Sequence, residues 1–314
     1  MKQRVLTGLF FAILFIPGAI LGGVYFFALG LIITYVSSYE LMNMFSKKNE
    51  GIRIIKYIIP IFSTIFYVLL QGALRYDSSA FKFDLGKLVL IGDINKIFNS
   101  LGILLLFASL IILLIAIISL FLKNPGRSAI NGIVSFIYGG VILSLALGLG
   151  NVSLTKEVRF AFPGITFCYV YLIVVLTDVF AYFIGSKLGK HKLCPLISPK
   201  KSIEGAIGGT LIASILGTIY VWVFNLFPID YALGIGHIVL VYIFVFIFSA
   251  LVSAVSQFGD LFASTLKREY EIKDYGNILP GHGGVLDRFD SLALAGSIFF
   301  VLVYIIKFVV ALVL

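Results

Sequence analysis

The sequence predicts an all-α, polytopic integral membrane protein with about nine transmembrane helices and a cytoplasmic N-terminus. Of its 314 residues, 60% are hydrophobic and only 12% are charged, and the mean hydropathy is +1.09. An ordinary globular domain is about a quarter charged, and one water-soluble core of this chain length cannot hide so much apolar surface. Composition therefore excludes a soluble enzyme, a disordered chain and a disulfide scaffold.

Nine apolar stretches have the length of about 20 residues that a membrane-crossing helix needs. They are 4–22, 24–45, 54–74, 101–122, 132–150, 164–187, 204–227, 237–257 and 291–313. The first could pass for a signal peptide, but it has no clear small-residue cleavage site and eight further spans follow it, which favours a retained helix. Because no linker, repeat or low-complexity segment divides residues 1–314, we expect one membrane-embedded domain.

The distribution of basic residues between the spans predicts the orientation. With the N-terminus inside, the cytoplasmic loops hold most of the lysines and arginines, and the outer loops are nearly neutral. This explains the net charge of +9 without nucleic acid, since no basic run is interleaved with stacking aromatic residues. In a bacterium, the chain would lie in the plasma (inner) membrane.

Charge is concentrated in the segment 260–290, where ten of 31 residues are charged. Asp260 ends an apolar run, and a carboxylate at membrane depth is expensive unless it faces a cavity, a partner or a metal ion. If the run stays helical, one face carries Asp260, Ser264, Lys267 and Arg268.

A second pair of carboxylates begins the last span. Asp287 and Asp290 are three residues apart, where the helix dipole favours negative charge. Carboxylates from two helices, with basic residues between them, suit a magnesium site that handles phosphates. The alternative is a structural ion-pair network.

The turn between these two acidic arms contains His282, Gly283 and Gly284. Glycines permit close approach to a ligand, and successive amide N–H groups can form an anion-binding concavity. His282 could donate to a phosphate oxygen, although a plain surface turn is the default interpretation of such a motif.

A further polar cluster is predicted on the same side of the membrane. Asp178 lies in an apolar helix, which indicates function by default. Lys200 and Lys201 precede a helix N-terminus, where they could gather a polyphosphate; a role as topology determinants is the alternative. The sequence has no P-loop, dinucleotide-binding, zinc or Gly-x-Ser-x-Gly motif.

The charged segment also carries a specific resemblance. It reads Ser264-Thr-Leu266-Lys267-Arg268, then Lys273-Asp274-Tyr-Gly276, then Leu279-Pro280-Gly281-His282-Gly283-Gly284-Val285-Leu-Asp287-Arg288-Phe289-Asp290. Over these 27 positions the chain resembles the phosphatidate cytidylyltransferase (CDP-diacylglycerol synthase) family without departure. The first 160 residues resemble that family only as a series of apolar helices.

The resemblance implies a nucleotidyltransferase that condenses CTP with phosphatidic acid to give CDP-diacylglycerol and pyrophosphate. It also implies a Mg²⁺ requirement, a second cation and a homodimer. The family's metal-binding carboxylates fall on Asp260 and Asp287, with Ser264 beside them.

We expect the remaining charged and glycine residues to act on the phosphates. Lys267, Arg268, Lys273 and Arg288 would neutralise them, and His282, Gly283 and Gly284 would line their pocket. Asp274 and Asp290 would be further metal ligands or would fix the basic side chains. Candidates for contact with CTP are Asp178, Lys200 and Lys201.

Two other functions fit an intramembrane acidic site. A secondary transporter could use the carboxylates for ion coupling, but inverted repeats would be expected and none is found. Another lipid enzyme, such as a polyprenol kinase or a CDP-alcohol phosphotransferase, is the second alternative. The latter needs an Asp-Gly-x-x-Ala-Arg segment that this chain lacks.

Overall fold

The computed structural model confirms an all-α membrane architecture. It describes residues 17–18, 20–49, 52, 55–80, 82–84, 89–91, 94–152, 162–226, 235–281 and 283–313. Within these ranges, eight helices are long and apolar enough to cross a membrane, one for each of the last eight predicted spans. The first predicted span, 4–22, lies mostly outside the described residues.

The described residues contain nine α-helices. In chain order they are α1 Gly23–Lys48, α2 Ile55–Ala80, α3 Ile94–Ser119, α4 Pro125–Val134, α5 Leu143–Gly148, α6 Ile165–Leu188, α7 Ile203–Phe224, α8 Ile235–Glu269 and α9 Leu286–Val313. A π-helix, Ser135–Ile142, joins α4 to α5, and a 3₁₀ turn, Leu149–Asn151, follows α5. Together, these four segments form one span, Pro125–Asn151.

Two small antiparallel hairpins complete the described structure. Strand β1 (Lys82–Asp84) pairs with β2 (Val89–Ile91) between α2 and α3. Strand β3 (Lys192–Cys194) pairs with β4 (Ser198–Ser202), which leads directly into α7. The Ser202 hydroxyl accepts a hydrogen bond from the Gly205 amide at 3.2 Å and so caps α7.

Two helix boundaries near the charged segment differ from the prediction. The eighth span was expected to end at residue 257, but α8 continues to Glu269. Its last turns are charged, yet Ala263 is fully buried there and Gly259 packs against the backbone of Ser291. The last span was expected from residue 291, but α9 begins at Leu286. Tertiary packing and capping set these ends, so a criterion based on hydropathy alone placed them wrongly.

The loops that were assigned to the cytoplasm lie together at one end of the bundle. The Lys48 ammonium donates to the Glu269 carbonyl at 2.9 Å, which joins the end of α1 to the end of α8. The Asn49 amide donates to the Ser128 hydroxyl at 3.1 Å, which joins the same region to α4. Lys201, just before α7, pairs with Asp260 on α8. This grouping agrees with the pattern of basic loops.

A seam of hydroxyl groups fixes α6, α7 and α8 to one another. The Ser253 hydroxyl lies 2.7 Å from that of Thr177 and 3.1 Å from that of Thr210. Helices α6 and α7 are also in close contact, since a Cβ at Gly209 would lie 2.7 Å from the Thr177 carbonyl oxygen. Small residues and hydrogen bonds of this kind hold membrane helices together. The seam therefore positions α6 and α8, which carry Asp178 and Asp260, together with α7, which Lys201 immediately precedes.

Candidate active site

Four aspartates from three helices gather at the polar end of the bundle. We call Asp178 (α6), Asp260 (α8), Asp287 and Asp290 (both α9) the acidic cluster. Three of its members lie close enough to one side chain to affect it electrostatically: Asp260, Asp287 and Asp290 all interact with the phenol of Tyr275. Burial, followed by these three charges, raises the pKa of Tyr275 well above its usual range. Asp178 joins the cluster through Asp260 and Lys201, whose charges both act on its carboxyl group.

Lys267 is the main counter-ion of the cluster. Its ammonium lies 2.9 Å from Asp287 Oδ1 and 3.4 Å from Asp290 Oδ2. Only 12% of the side chain is exposed, and the ammonium also lies 5.0 Å from the centre of the Tyr275 ring. Helix α8 therefore places a buried positive charge against the start of α9.

Asp287 is held by the backbone of the preceding loop. Its Oδ2 accepts hydrogen bonds from the Tyr275 amide at 2.8 Å and the Gly284 amide at 2.9 Å. Gly283 has φ +84°, a conformation that favours glycine, and a Cβ there would lie 3.0 Å from Asp287 Oδ2. The backbone conformation and the close carboxylate both favour glycine at this position. The Gly284 N–H was expected to face a phosphate, but in this structure it donates to the Asp287 carboxylate.

Asp290 lies three residues after Asp287 in the same helix. It is 7% exposed, and its Oδ1 accepts the Ser291 amide at 2.8 Å. The Tyr138 hydroxyl donates to its carbonyl oxygen at 3.3 Å. Tyr138 belongs to the π-helix, an irregular element that is frequent at functional sites.

The two candidate lysines before α7 differ in position. Lys201 forms an ion pair with Asp260 Oδ2, whereas Lys200 is exposed. Both carboxylates that were expected to bind metal, Asp260 and Asp287, are therefore paired with a lysine ammonium.

Several other predicted site residues lie at the margin of the cluster. Ser264 is half-buried one turn after Asp260, on the helix face that was predicted. Arg268 is exposed and donates to the Ile272 carbonyl at 3.4 Å. Asp274 packs against Gly283, since a Cβ there would lie 3.1 Å from the Asp274 Cβ. Lys273, Asp274 and Arg288 are exposed, and His282 lies outside the described residues.

Three residues of this region were not predicted: Glu40, Tyr138 and Tyr275. Glu40 on α1 is 3% exposed, and its carboxylate accepts the Val285 and Leu286 amides at 3.0 and 2.9 Å. The rule that singled out Asp178, an ionisable residue in an apolar span, applies equally to Glu40. Nothing in the sequence distinguishes Tyr138 from the other tyrosines of the spans.

The donor chemistry of the cluster fits magnesium. Asp260 and Asp287 offer hard carboxylate oxygens, and each already attracts a cationic ammonium. No group of three or more His, Cys, Asp or Glu side chains within the described ranges is arranged to hold a metal ion. Magnesium is commonly bound by one or two carboxylates with substrate phosphates completing its shell, so a magnesium site built on these aspartates would take its other ligands from the substrate.

Comparison with known proteins gives a consistent result along the chain. Residues 2–306 match the cytidylyltransferase family. The phosphatidate cytidylyltransferase of Bacillus subtilis is 33% identical over 294 residues, which cover 93% of each chain. That of Staphylococcus saprophyticus is 31% identical over 295 residues, 93% of this chain and 94% of its own. A shorter match, 50% over 123 residues, joins 39% of this chain to 43% of the Staphylococcus haemolyticus enzyme of the same name.

Proposed function

Because the chain belongs to the cytidylyltransferase family, we propose that it is a phosphatidate cytidylyltransferase. The reaction joins CTP and phosphatidate to give CDP-diacylglycerol and pyrophosphate. The observation that carries this proposal is the acidic cluster at the polar end of eight membrane helices, with Lys201 and Lys267 in direct contact with it.

The chemistry requires two polyanions to meet. A phosphate oxygen of phosphatidate attacks the α-phosphorus of CTP, and the bond from that phosphorus to the departing pyrophosphate breaks. The nucleophile is already anionic near neutral pH, so no strong general base is needed. Catalysis then depends on positioning and on the neutralisation of charge.

The protein residues supply both effects. The ammonium groups of Lys201 and Lys267 would exchange contact with aspartates for contact with phosphate oxygens as substrate enters. Arg268, Lys273 and Arg288 lie at the exposed margin, where they would draw in the triphosphate. Asp260 and Asp287 would hold Mg²⁺, which polarises phosphoryl oxygens when bound. A second cation would use other carboxylate oxygens of the same cluster.

The membrane location follows from the two substrates. The acyl chains of phosphatidate stay in the bilayer, while CTP arrives from the cytosol. The acidic cluster lies at the same end of the bundle as the basic loops, and basic loops are typical of the cytoplasmic side. The proposed site therefore lies at the cytoplasmic face of the cell membrane. The proposed assembly is the homodimer that the family resemblance implies.

An assay with radiolabelled CTP in detergent micelles tests the proposal. Labelled CDP-diacylglycerol should form only when phosphatidate and Mg²⁺ are both present, and it should stop forming when a chelator is added. A transporter would instead move solute across sealed vesicles without CTP. A polyprenol kinase or a CDP-alcohol phosphotransferase would not make this product from phosphatidate.

A further inference from the structure

Glu40 makes a long-range contact with the catalytic segment. Its two carboxylate oxygens accept the Val285 amide at 3.0 Å and the Leu286 amide at 2.9 Å. Leu286 is the first residue of α9, and Asp287 follows it. The first amides of a helix lack partners within the helix, and a carboxylate there is favourable. The Glu40 contact spans 246 residues of sequence, so it fixes α9 to α1 as well as capping it.

The loop before α9 is shaped around the same carboxylate. Gly276 and Gly284 both contact it, and a Cβ at Gly284 would lie 2.5 Å from either carboxyl oxygen. Any larger residue at either glycine would push the loop away from Glu40. The two glycines lie on either side of the turn, so Glu40 contacts both arms of the loop.

The end of α1 holds the beginning of this loop as well. The Phe45 ring meets the Tyr270 ring edge-on, with 5.0 Å between their centres. The Lys48 ammonium donates to the Glu269 carbonyl at 2.9 Å. One helix of the N-terminal half therefore contacts the loop at its start and at its end.

We propose that Glu40 is a positioning residue for the active site. It fixes the loop whose Tyr275 and Gly284 amides orient the Asp287 carboxylate, and it fixes the helix start from which Asp287 projects. Its hydrogen bonds go to backbone amides of the loop and helix, so it acts on the reaction through them. The catalytic part of this inference rests on the proposed function, whereas the part that concerns the loop does not.

Glu40→Gln is the direct test. The amide group of glutamine offers one acceptor oxygen, and its NH₂ group would face the second backbone N–H. We expect amide hydrogen exchange in peptides covering 275–290 to rise by about fivefold or more, with the other helices unchanged. We also expect kcat to fall by roughly tenfold or more, with little change in the KM for phosphatidate, because Asp287 is misplaced. Glu269→Gln is the matched control, since the Glu269 side chain is exposed at the end of α8 and only its backbone carbonyl contacts Lys48, and it should change neither quantity.

Gly276→Ala provides a second route, because its methyl group presses on Glu40 from the loop side. It should raise exchange in the same peptides. Unchanged exchange in both variants would overturn the inference, and so would a uniform rise across all helices, which indicates a general structural role. If the wild-type protein forms no CDP-diacylglycerol, the proposed function fails, but the exchange result still decides the role of Glu40 in holding the loop.

Discussion

Both carboxylate oxygens of Asp287 have partners within the protein. One of its oxygens accepts two backbone amides and the other faces Lys267, so its position is fixed before any ligand binds. Charged and dipolar groups that are held in place before the substrate binds are usually the largest source of transition-state stabilisation in enzymes.

We expect Asp287→Asn to lower turnover by roughly a hundredfold or more while the protein still inserts and folds. Production of CDP-diacylglycerol by purified protein measures turnover, and elution as a single species in detergent checks the fold. Asp230→Asn is the control, since Asp230 lies between the predicted spans 204–227 and 237–257, in a loop that the charge pattern predicts on the outer side. Near-normal turnover in Asp287→Asn would show that Asp287 is not a ligand of the metal ion.

Lys267 contributes to stability as well as to the site. Its ammonium neutralises Asp287 and Asp290, both of which are buried. Loss of one partner of a buried ion pair typically costs about 3 kcal/mol, because the other charge remains buried. Lys267→Met should therefore lower the free energy of unfolding in detergent by about that amount. The exposed Lys200 provides the comparison, and equal stability of Lys267→Met and Lys200→Met would contradict the assignment.

At residue level, the sequence singled out all four aspartates of the acidic cluster, but it gave no indication of which lysine each one pairs with. Intramembrane charge singled out Asp178 and Asp260, and the spacing in 287–290 singled out the other two. The pairing of Lys201 with Asp260 and of Lys267 with both α9 aspartates could not be predicted, because it depends on how helices distant in sequence pack.

The spans themselves were predictable from apolar length, since a bilayer demands about 20 apolar residues. The residues at which the helices begin and end could not be predicted from apolar length. Helix α8 extends its charged final turns because Ala263 and Gly259 still pack against the bundle. Helix α9 starts five residues before the predicted position because Glu40 and Asp287 supply partners for backbone amides there.

The contact between α6 and α7 gives a test at the level of elements. A Cβ at Gly205 would lie 2.5 Å from the Ala181 carbonyl oxygen and 2.9 Å from the Gly185 Cα. Gly205→Ala should therefore destabilise the protein by about 2 kcal/mol and should weaken activity by shifting Lys201. In Gly236→Ala the methyl group meets open space, and that variant should match the wild type. If both variants unfold alike, the packing of α6 on α7 is looser than described.

For the whole molecule, we predict that the end of the bundle where the basic loops are grouped faces the cytoplasm. Leu196 in the turn between β3 and β4 is 97% exposed at that end. We expect Leu196→Cys, in a background without Cys168 and Cys194, to react with a membrane-impermeant maleimide in inverted vesicles and not in intact cells. Labelling of this cysteine in intact cells would show that this end of the bundle faces the outside, which is the opposite orientation.

The central claim is that acidic side chains from separate membrane helices share one divalent ion with the phosphates of the substrate. Locating Mn²⁺ in an experimental structure, bound in place of Mg²⁺ together with CTP, tests it most directly. We predict an ion about 2.1 Å from oxygens of both Asp260 and Asp287, with Lys201 and Lys267 moved onto phosphate oxygens. An ion bound elsewhere, with both lysines still paired to these aspartates, would contradict the account.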